Sequence, residues 1–171
     1  MRSVRKLGAW LLLALLTALA LWLEHEPAEE IRTAGGEPVH VIDGDSFRVG
    51  GREIRLAGID APEYRQTCSD ATGGSWHCGK EARTALEKLV KGGELSCSKE
   101  AEDRYGRALA RCRASGRDLA REMARLGWAL GARDERFEEP SQEMAEAKAA
   151  RRGIWRGRHE HPADWRKARR E

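Results

Sequence analysis

Two tight-turn signals, Asp43-Gly44 and Gly50-Gly51, divide residues 39–59 into three short segments that contain branched apolar residues. Asp-Gly and Gly-Gly pairs are typical of β-hairpin turns, and the segments between them have the length of strands. The pattern therefore predicts three adjacent antiparallel strands, at Val39–Ile42, Ser46–Val49 and Arg52–Ile59.

Helical periodicity appears later in the chain, around a second hairpin. The predicted helices are Lys80–Val90, Arg117–Leu126 and Ser141–Arg152, with Ser141 as the N-cap of the third. The hairpin is predicted from Glu94–Ser98 and Arg107–Arg113. Five strands and three helices in this order suit an α+β fold, a five-stranded OB-fold β-barrel.

The N-terminal region has the pattern of an export segment. Leu7–Leu23 carries no charge, follows three basic residues and precedes an acidic stretch. We interpret residues 1–23 as an uncleaved signal anchor; a signal peptide cleaved after Ala18-Leu19-Ala20 is the alternative. Residues 24–37 then form a linker, 38–156 the domain and 157–171 a basic tail. The domain is expected outside the cytoplasm, membrane-anchored or secreted.

The charge balance constrains how this chain could bind nucleic acid. The sequence has 31 Lys and Arg residues and 28 Asp and Glu residues, and three of the basic residues precede the apolar segment, which leaves 28 against 28. A neutral domain cannot attract nucleic acid by bulk charge, so binding needs local patches. Residues 151–171, with eight basic and three acidic residues, are one candidate patch; this tail could also pack on the barrel or stay solvated.

Four cysteines follow the apolar segment, where an oxidising compartment would allow disulfides. Cys97 and Cys112 flank the turn of the second hairpin, whereas Cys68 and Cys78 bracket one glycine-rich loop. We therefore predict the pairs 68–78 and 97–112. A structural zinc site remains the alternative, although the chain has no close C-x₂-C pair.

Carboxylates and arginines suited to phosphodiester hydrolysis lie in and after the predicted hairpins. Asp45 and Asp60 are hard oxygen donors of the kind that calcium prefers, and Glu63 follows a proline that restricts the local backbone. Arg55 and Arg107 could clamp the phosphate oxygens with planar guanidinium groups. Each residue alone also fits a turn, a helix cap or a solvated strand, so the argument depends on their combination.

Four segments carry that combination: Ile42–Ser46, Ile54–Leu56, Ile59–Glu63 and Asp103–Arg107. Their order and spacing resemble the staphylococcal nuclease family over roughly residues 38–156. The resemblance implies a calcium-dependent endonuclease that hydrolyses DNA, RNA or both and leaves 3′-phosphate ends. It assigns calcium binding to Asp45, Asp60 and the Ala61 carbonyl, general base catalysis to Glu63, phosphate clamping to Arg55 and Arg107, and supporting substrate contacts to Asp103 and Tyr105.

The sequence also departs from the family pattern. The stretch at 132–135 has no aromatic ring where the staphylococcal enzyme has tyrosines that stack on the nucleotide base. Two other functions therefore stay open: a non-catalytic nucleic-acid-binding module, and a membrane-surface protein whose barrel is only a scaffold. We expect nucleic acid as the partner, contact with a membrane if the N-terminal segment is uncleaved, and a monomer.

Overall fold

The computed structural model describes residues 29–33, 37–91 and 93–169, together with 10, 14–17 and 19. Most of the predicted signal segment 1–23, and much of the predicted linker 24–37, lie outside the described residues. None of the helices in the described part of the chain is long and apolar enough to cross a membrane.

Short strands dominate the first two thirds of the described chain. They are β1 (Glu30–Arg32), β2 (His40–Val41), β3 (Ser46–Val49), β4 (Arg52–Leu56), β5 (Ile59–Asp60), β6 (Cys68–Ser69), β7 (Ser75–Trp76), β8 (Leu95–Glu102), β9 (Ala108–Ala114), β10 (Arg117–Asp118) and β11 (Leu130–Gly131). The helices are α1 (Cys78–Val90), α2 (Leu119–Arg125), α3 (Ser141–Ala149), a 3₁₀ turn (Gly153–Arg156) and α4 (Pro162–Lys167).

The main sheet has the order β1-β8-β9-β4-β3-β2, with β10 also paired to β9. The predicted antiparallel run of the first three core strands is confirmed as β2-β3-β4. Strand β4 then pairs in parallel with β9, with Ile54 opposite Ala108. This pairing joins the two hairpins into one curled half-barrel, which confirms the α+β, OB-like fold.

The core fills the inside of this curled sheet. Phe47, Ile54 and Leu86 are each 0% exposed, and Met123 from α2 packs in the same cluster. Along β3, buried Phe47 and Val49 flank exposed Arg48, the alternation of a strand with one buried face. The turn between β2 and β3 is therefore held at one end of this packed sheet.

The third predicted strand is shorter than expected. Strand β4 ends at Leu56, and Gly58 has a φ of 78°, a left-handed conformation that favours glycine. A Cβ at Gly58 would also collide with the carbonyl oxygen of Glu138. Residues Ile59–Asp60 leave the main sheet as β5 and pair with β11.

Several helix boundaries and one strand also differ from the sequence predictions: α1 begins at Cys78 instead of Lys80, and α3 ends at Ala149 instead of Arg152. The N-cap of α3 is Pro140, without a side-chain cap bond, so the assignment of Ser141 as N-cap is wrong. Helix α2 begins at Leu119, because the Asp118 side chain caps it by accepting from the Arg121 amide. Strand β1, inside the predicted linker, pairs with β8, and its Ile31 packs on the core.

Both predicted disulfides are confirmed. Cys97–Cys112 joins the paired strands β8 and β9, and Cys68–Cys78 ties β6 to the start of α1. The described residues contain no free cysteine, which leaves none for the alternative zinc site. The Cys68–Cys78 bridge closes the loop that follows Glu63, which is one of the predicted site residues.

Candidate active site

The turn between β2 and β3 places Asp45 in the interior. Its side chain is 1% exposed, and Oδ1 accepts a hydrogen bond from Ser46 Oγ at 2.7 Å, while Oδ2 accepts one from the Ala61 amide at 2.9 Å. A Cβ on Gly44 would come within 2.7 Å of the Ala61 Cβ and 2.9 Å of the Ala82 Cβ. Only glycine lets this turn approach α1 so closely, and the approach holds Asp45 beside Ala61.

Arg55 on β4 connects the two aspartates that the sequence predicts as metal ligands. Its Nη1 donates to Asp45 Oδ1 at 2.7 Å and its Nη2 donates to Asp60 Oδ1 at 2.6 Å. The Arg55 side chain is 13% exposed, and those of Asp45 and Asp60 are 1% and 2% exposed. Burial by itself lowers the pKa of Arg55, but the two carboxylates outweigh it and the pKa is raised.

A third carboxyl group, that of Asp43, is buried beside Asp45. Burial, followed by the charge of Asp45, raises the pKa of Asp43 to about 8, and the charge of Glu63 adds to this. Asp43 Oδ1 also accepts a hydrogen bond from the Asp45 amide at 3.1 Å. Near neutral pH Asp43 is therefore mostly protonated, and the negative charge of this turn comes from Asp45.

The donor set fits calcium in chemical type. Asp45 and Asp60 offer buried carboxylate oxygens, which calcium takes together with backbone oxygens and water. Within the described residues, no group of three or more His, Cys, Asp or Glu side chains is arranged to hold a metal ion. The candidate centre therefore rests on two carboxylates. The structure shows the third predicted donor, Ala61, in contact with Asp45 through its amide.

Glu63 lies on the loop between β5 and β6, and buried Gln66 holds this loop in shape. The Gln66 side chain accepts a hydrogen bond from the Glu63 amide at 3.2 Å and donates one to the Glu160 carbonyl at 2.8 Å. The Gln66 amide donates to the Glu63 carbonyl at 2.7 Å. At the start of α1, a Cβ on Gly79 would collide with the same carbonyl. Sequence reasoning missed Gln66, because one polar residue in a loop has no periodic signal.

Replacing Gln66 with leucine is expected to destabilise the fold by about 2 kcal/mol, since it leaves the Glu63 amide and the Glu160 carbonyl without these partners. Urea unfolding measures the loss. Gln142→Leu is the matched control, because Gln142 is an exposed α3 residue paired with Glu146, and its effect should stay below about 0.5 kcal/mol. Equal stability of the two variants would show that Gln66 does not support the loop.

Arg107 precedes β9 and is held by the turn before it. Its Nε donates to Asp103 Oδ2 at 2.7 Å, and its amide donates to Asp103 Oδ1 at 3.0 Å. Burial raises the pKa of Asp103, but the hydrogen bonds from Arg107 and Tyr105 outweigh it and the net pKa is lowered. Asp103 is therefore an ionised support for Arg107. Tyr105 is 58% exposed, and its ring lies 5.7 Å from the Arg107 guanidinium.

One cleft of about 680 Å³ brings most of the predicted residues together. Its lining includes Arg55, Glu63, Asp103, Tyr105 and Arg107. Asp45, Asp60 and Ala61 are not part of the lining and lie buried, where the two aspartates contact Arg55. The cleft can thus present two guanidinium groups to an anion, beside a carboxylate able to accept a proton.

Arg166 of α4 is a further residue of this centre that sequence reasoning missed. Its Nη1 donates to Asp60 Oδ1 at 2.8 Å and to Glu63 Oε1 at 2.7 Å, and its Nη2 donates to Asp60 Oδ2 at 3.0 Å. Arg166 lies 106 residues beyond Asp60, within the predicted basic tail 157–171. The His161-Pro162 pair is a helix-start signal, but nothing local indicates where this helix docks.

A curled OB-like sheet with buried carboxylates and arginines at one cleft defines the nuclease-like class of OB-fold proteins. The model of the family described as staphylococcal nuclease homologue matches residues 53–157. The chain belongs to this family.

Curated relatives agree with this assignment. Succinoglycan biosynthesis protein ExoI of Rhizobium meliloti is 32% identical over 165 residues, which cover 93% of this chain and 80% of the relative. Probable staphylococcal-like nuclease CAN1 of Oryza sativa is 34% identical over 143 residues, covering 82% of this chain and 40% of the relative. Probable endonuclease LCL3 of Schizophyllum commune is 33% identical over 136 residues, covering 67% of this chain and 44% of the relative. The chain therefore spans less than half of the two relatives named as nucleases.

Proposed function

We propose that this protein is a calcium-dependent endonuclease that hydrolyses phosphodiester bonds of DNA, RNA or both. Family membership and relatives named as nucleases support a nuclease function. The observation that carries the proposal is the convergence of Arg55, Glu63 and Arg107 on one cleft, with Asp45 and Asp60 bound to Arg55.

Each of these side chains has a role that its contacts allow. Glu63 accepts the proton of the attacking water, and Arg55 and Arg107 donate hydrogen bonds to the non-bridging phosphate oxygens as negative charge builds up. A guanidinium carries five N–H donors, so both arginines keep donors beyond their bonds to Asp45, Asp60 and Asp103. Those carboxylates fix the orientation of each guanidinium group before substrate binds.

Calcium, when bound, would polarise the phosphate and lower the pKa of water next to it. The residues that would hold it are Asp45 and Asp60, with the Ala61 carbonyl as the family resemblance implies. Buried Asp43, whose pKa is raised to about 8, is mostly protonated at neutral pH, so the negative charge at this position comes from Asp45 and Asp60.

Further basic side chains around the cleft suit a polyanionic substrate. Arg104, Arg136 and Lys167 line it together with the two clamping arginines. Five acidic side chains also line the cleft, namely Asp43, Glu53, Glu63, Asp103 and Asp134, so the basic groups are individual contact points for phosphates and not a patch of net positive charge. Single-stranded or frayed nucleic acid is the proposed substrate, because an open cleft must reach the backbone without reading a groove. The proposed products carry 3′-phosphate ends.

The proposed location is outside the cytoplasmic membrane. The two disulfides support an oxidising compartment, and the apolar segment after Arg2, Arg5 and Lys6 supports export. Protease accessibility in intact cells and the mass of the purified chain would test this location and the cleavage of the segment. Protection of the domain from added protease, in cells whose outer layer is permeabilised, would place it in the cytoplasm instead.

Arg107→Ala is expected to lower kcat/KM for cleavage of labelled single-stranded DNA and RNA by about 10²–10³-fold, because a phosphate clamp is lost. Arg111→Ala is the matched control, since Arg111 is an exposed arginine on β9 paired with Glu100. It should change cleavage less than about threefold. A chelator should abolish wild-type cleavage, and labelling of the product ends would identify the 3′-phosphate.

The non-catalytic binding module is the alternative that this assay separates. A folded wild-type protein that binds the labelled strand but cuts nothing with calcium or any other divalent ion would support that alternative. If the Arg107→Ala and Arg111→Ala variants cleave equally well, the protein is still a nuclease but Arg107 is not part of its active site.

A further inference from the structure

Helix α4 is attached next to the carboxylates by several side-chain contacts. His161 caps the helix by accepting from the Ala163 amide at 3.2 Å, and its Nε2 lies 3.1 Å from the Gly131 carbonyl oxygen. Arg133 makes two bonds to Asp164, at 2.9 and 3.0 Å. These contacts hold the helix so that its last turn faces the site.

The last turn of α4 places Arg166 next to Asp60 and Glu63, the proposed calcium ligand and the proposed general base. Arg166 contacts both oxygens of Asp60 and also Glu63 Oε1, and its side chain is 30% exposed. Burial by itself lowers the pKa of Arg166, but Asp60 and Glu63 outweigh it and the pKa is raised. The guanidinium therefore stays charged and makes charge-assisted hydrogen bonds.

We propose that Arg166 is a built-in cation that competes with calcium for Asp60 and also occupies an oxygen of Glu63, so that docking of α4 sets the calcium requirement of the site. This inference rests on the proposed calcium-dependent function. A carboxylate oxygen that accepts hydrogen bonds from Arg166 is less available to calcium, and the Glu63 oxygen that accepts from Arg166 is less available to a water molecule. The docked helix thus represents the less active state of the enzyme.

Movement of the last turn of α4 would break the Arg133–Asp164 pair but can leave the His161 contact with the Gly131 carbonyl, at the start of the helix, in place. The Arg133–Asp164 pair is exposed, with side chains 56% and 52% accessible, and exposed pairs contribute little to stability. Ala163, Arg166 and Lys167 also line the cleft, so movement of the helix would widen the space for a nucleic-acid strand. Calcium and substrate would therefore both oppose the docked helix.

The test is a calorimetric titration of the full chain with calcium alone, without nucleic acid. Arg166→Gln should bind calcium about tenfold more tightly than wild type, because the competing charge-assisted bonds are gone. Arg169→Gln is the matched control: it removes the same charge three residues later, where Arg169 stacks on Trp165 4.0 Å away. Its calcium affinity should change less than about twofold.

Two further measurements keep the test independent of one variant's folding. Arg166→Lys keeps the charge but loses the two-pronged contact, so it should give an intermediate affinity. In the wild type, saturating calcium should speed hydrogen exchange of the α4 amides, including that of Trp165, which bonds to the His161 carbonyl at 3.0 Å.

The outcomes separate this inference from the proposed function. Calcium binding of equal strength in wild type and Arg166→Gln, with unchanged exchange in α4, overturns the competition and leaves the calcium site in place. Weaker binding in Arg166→Gln would make Arg166 a residue that orients the calcium donors, which also overturns it. If neither protein binds calcium, the proposed cofactor and the competition both fail.

Discussion

Glu63→Gln is expected to lower kcat for nucleic-acid cleavage by about 10²–10⁴-fold, the usual contribution of a general base. Glutamine has nearly the same size and keeps an oxygen that can accept from Arg166, but it cannot take a proton from water. The Glu63 backbone is held by Gln66 and is closely approached by Gly79, so the substitution should leave the loop in place. Single-turnover cleavage of a labelled strand measures the effect.

The control and a binding measurement make this result specific. Glu87→Gln changes an exposed carboxylate on α1 that pairs with Arg83, and it should alter cleavage by less than about twofold. Glu63→Gln should still bind the labelled strand, since the arginines of the cleft are intact. If Glu63→Gln cleaves within threefold of the wild-type rate, Glu63 is not the general base and another group accepts the proton.

Arg55→Ala is expected to have the largest effect on stability, a loss of about 3–5 kcal/mol in the free energy of unfolding. Removing this side chain leaves the buried carboxylates of Asp45 and Asp60 without the cation that joins them. Removing one partner of a buried ion pair lowers the stability by far more than the pair contributes, because the remaining charges are still buried away from water. Urea unfolding monitored by tryptophan fluorescence gives the value.

Arg48→Ala is the matched control for this substitution. Arg48 lies on the same hairpin and pairs with Glu53, but its side chain is 56% exposed, so its loss should cost no more than about 1 kcal/mol. Calcium should restore part of the stability of Arg55→Ala if Asp45 and Asp60 bind it, because a ligand of the native state stabilises that state. Equal losses in the two variants would mean that the Arg55 cluster is open to water and not a buried centre.

The role of Arg55 in both stability and the proposed chemistry has a common physical origin. A guanidinium that clamps phosphate must be held rigidly, and here buried carboxylates hold it. The same carboxylates are the proposed calcium donors. Asp60 therefore has three positively charged partners: Arg55, Arg166 and the proposed cation. Removing one of them changes how strongly Asp60 binds the other two.

Local sequence patterns predicted the elements of this site but not all its members. Asp43-Gly44 and Gly50-Gly51 indicate hairpins because the residues that define a tight turn are adjacent in the sequence. Strands β2, β3 and β4 pair in the predicted antiparallel order, although β4 is shorter than predicted. The order and spacing of the four segments gave the family, which the match to residues 53–157 confirms. The roles assigned to Glu63, Arg55 and Arg107 remain predictions, although the structure places all three on one cleft.

The sequence by itself determined the two hairpins, the disulfide pairs and the chemical types available for the site, because each depends on neighbours close along the chain. Only the tertiary structure decided that Arg55 joins Asp45 to Asp60, and that Arg166 reaches Asp60 across 106 residues. Such contacts depend on where the parallel pairing of β4 with β9 and the docking of α4 bring distant segments. No local periodicity encodes that placement, since it results from burial and charge pairing in the folded chain.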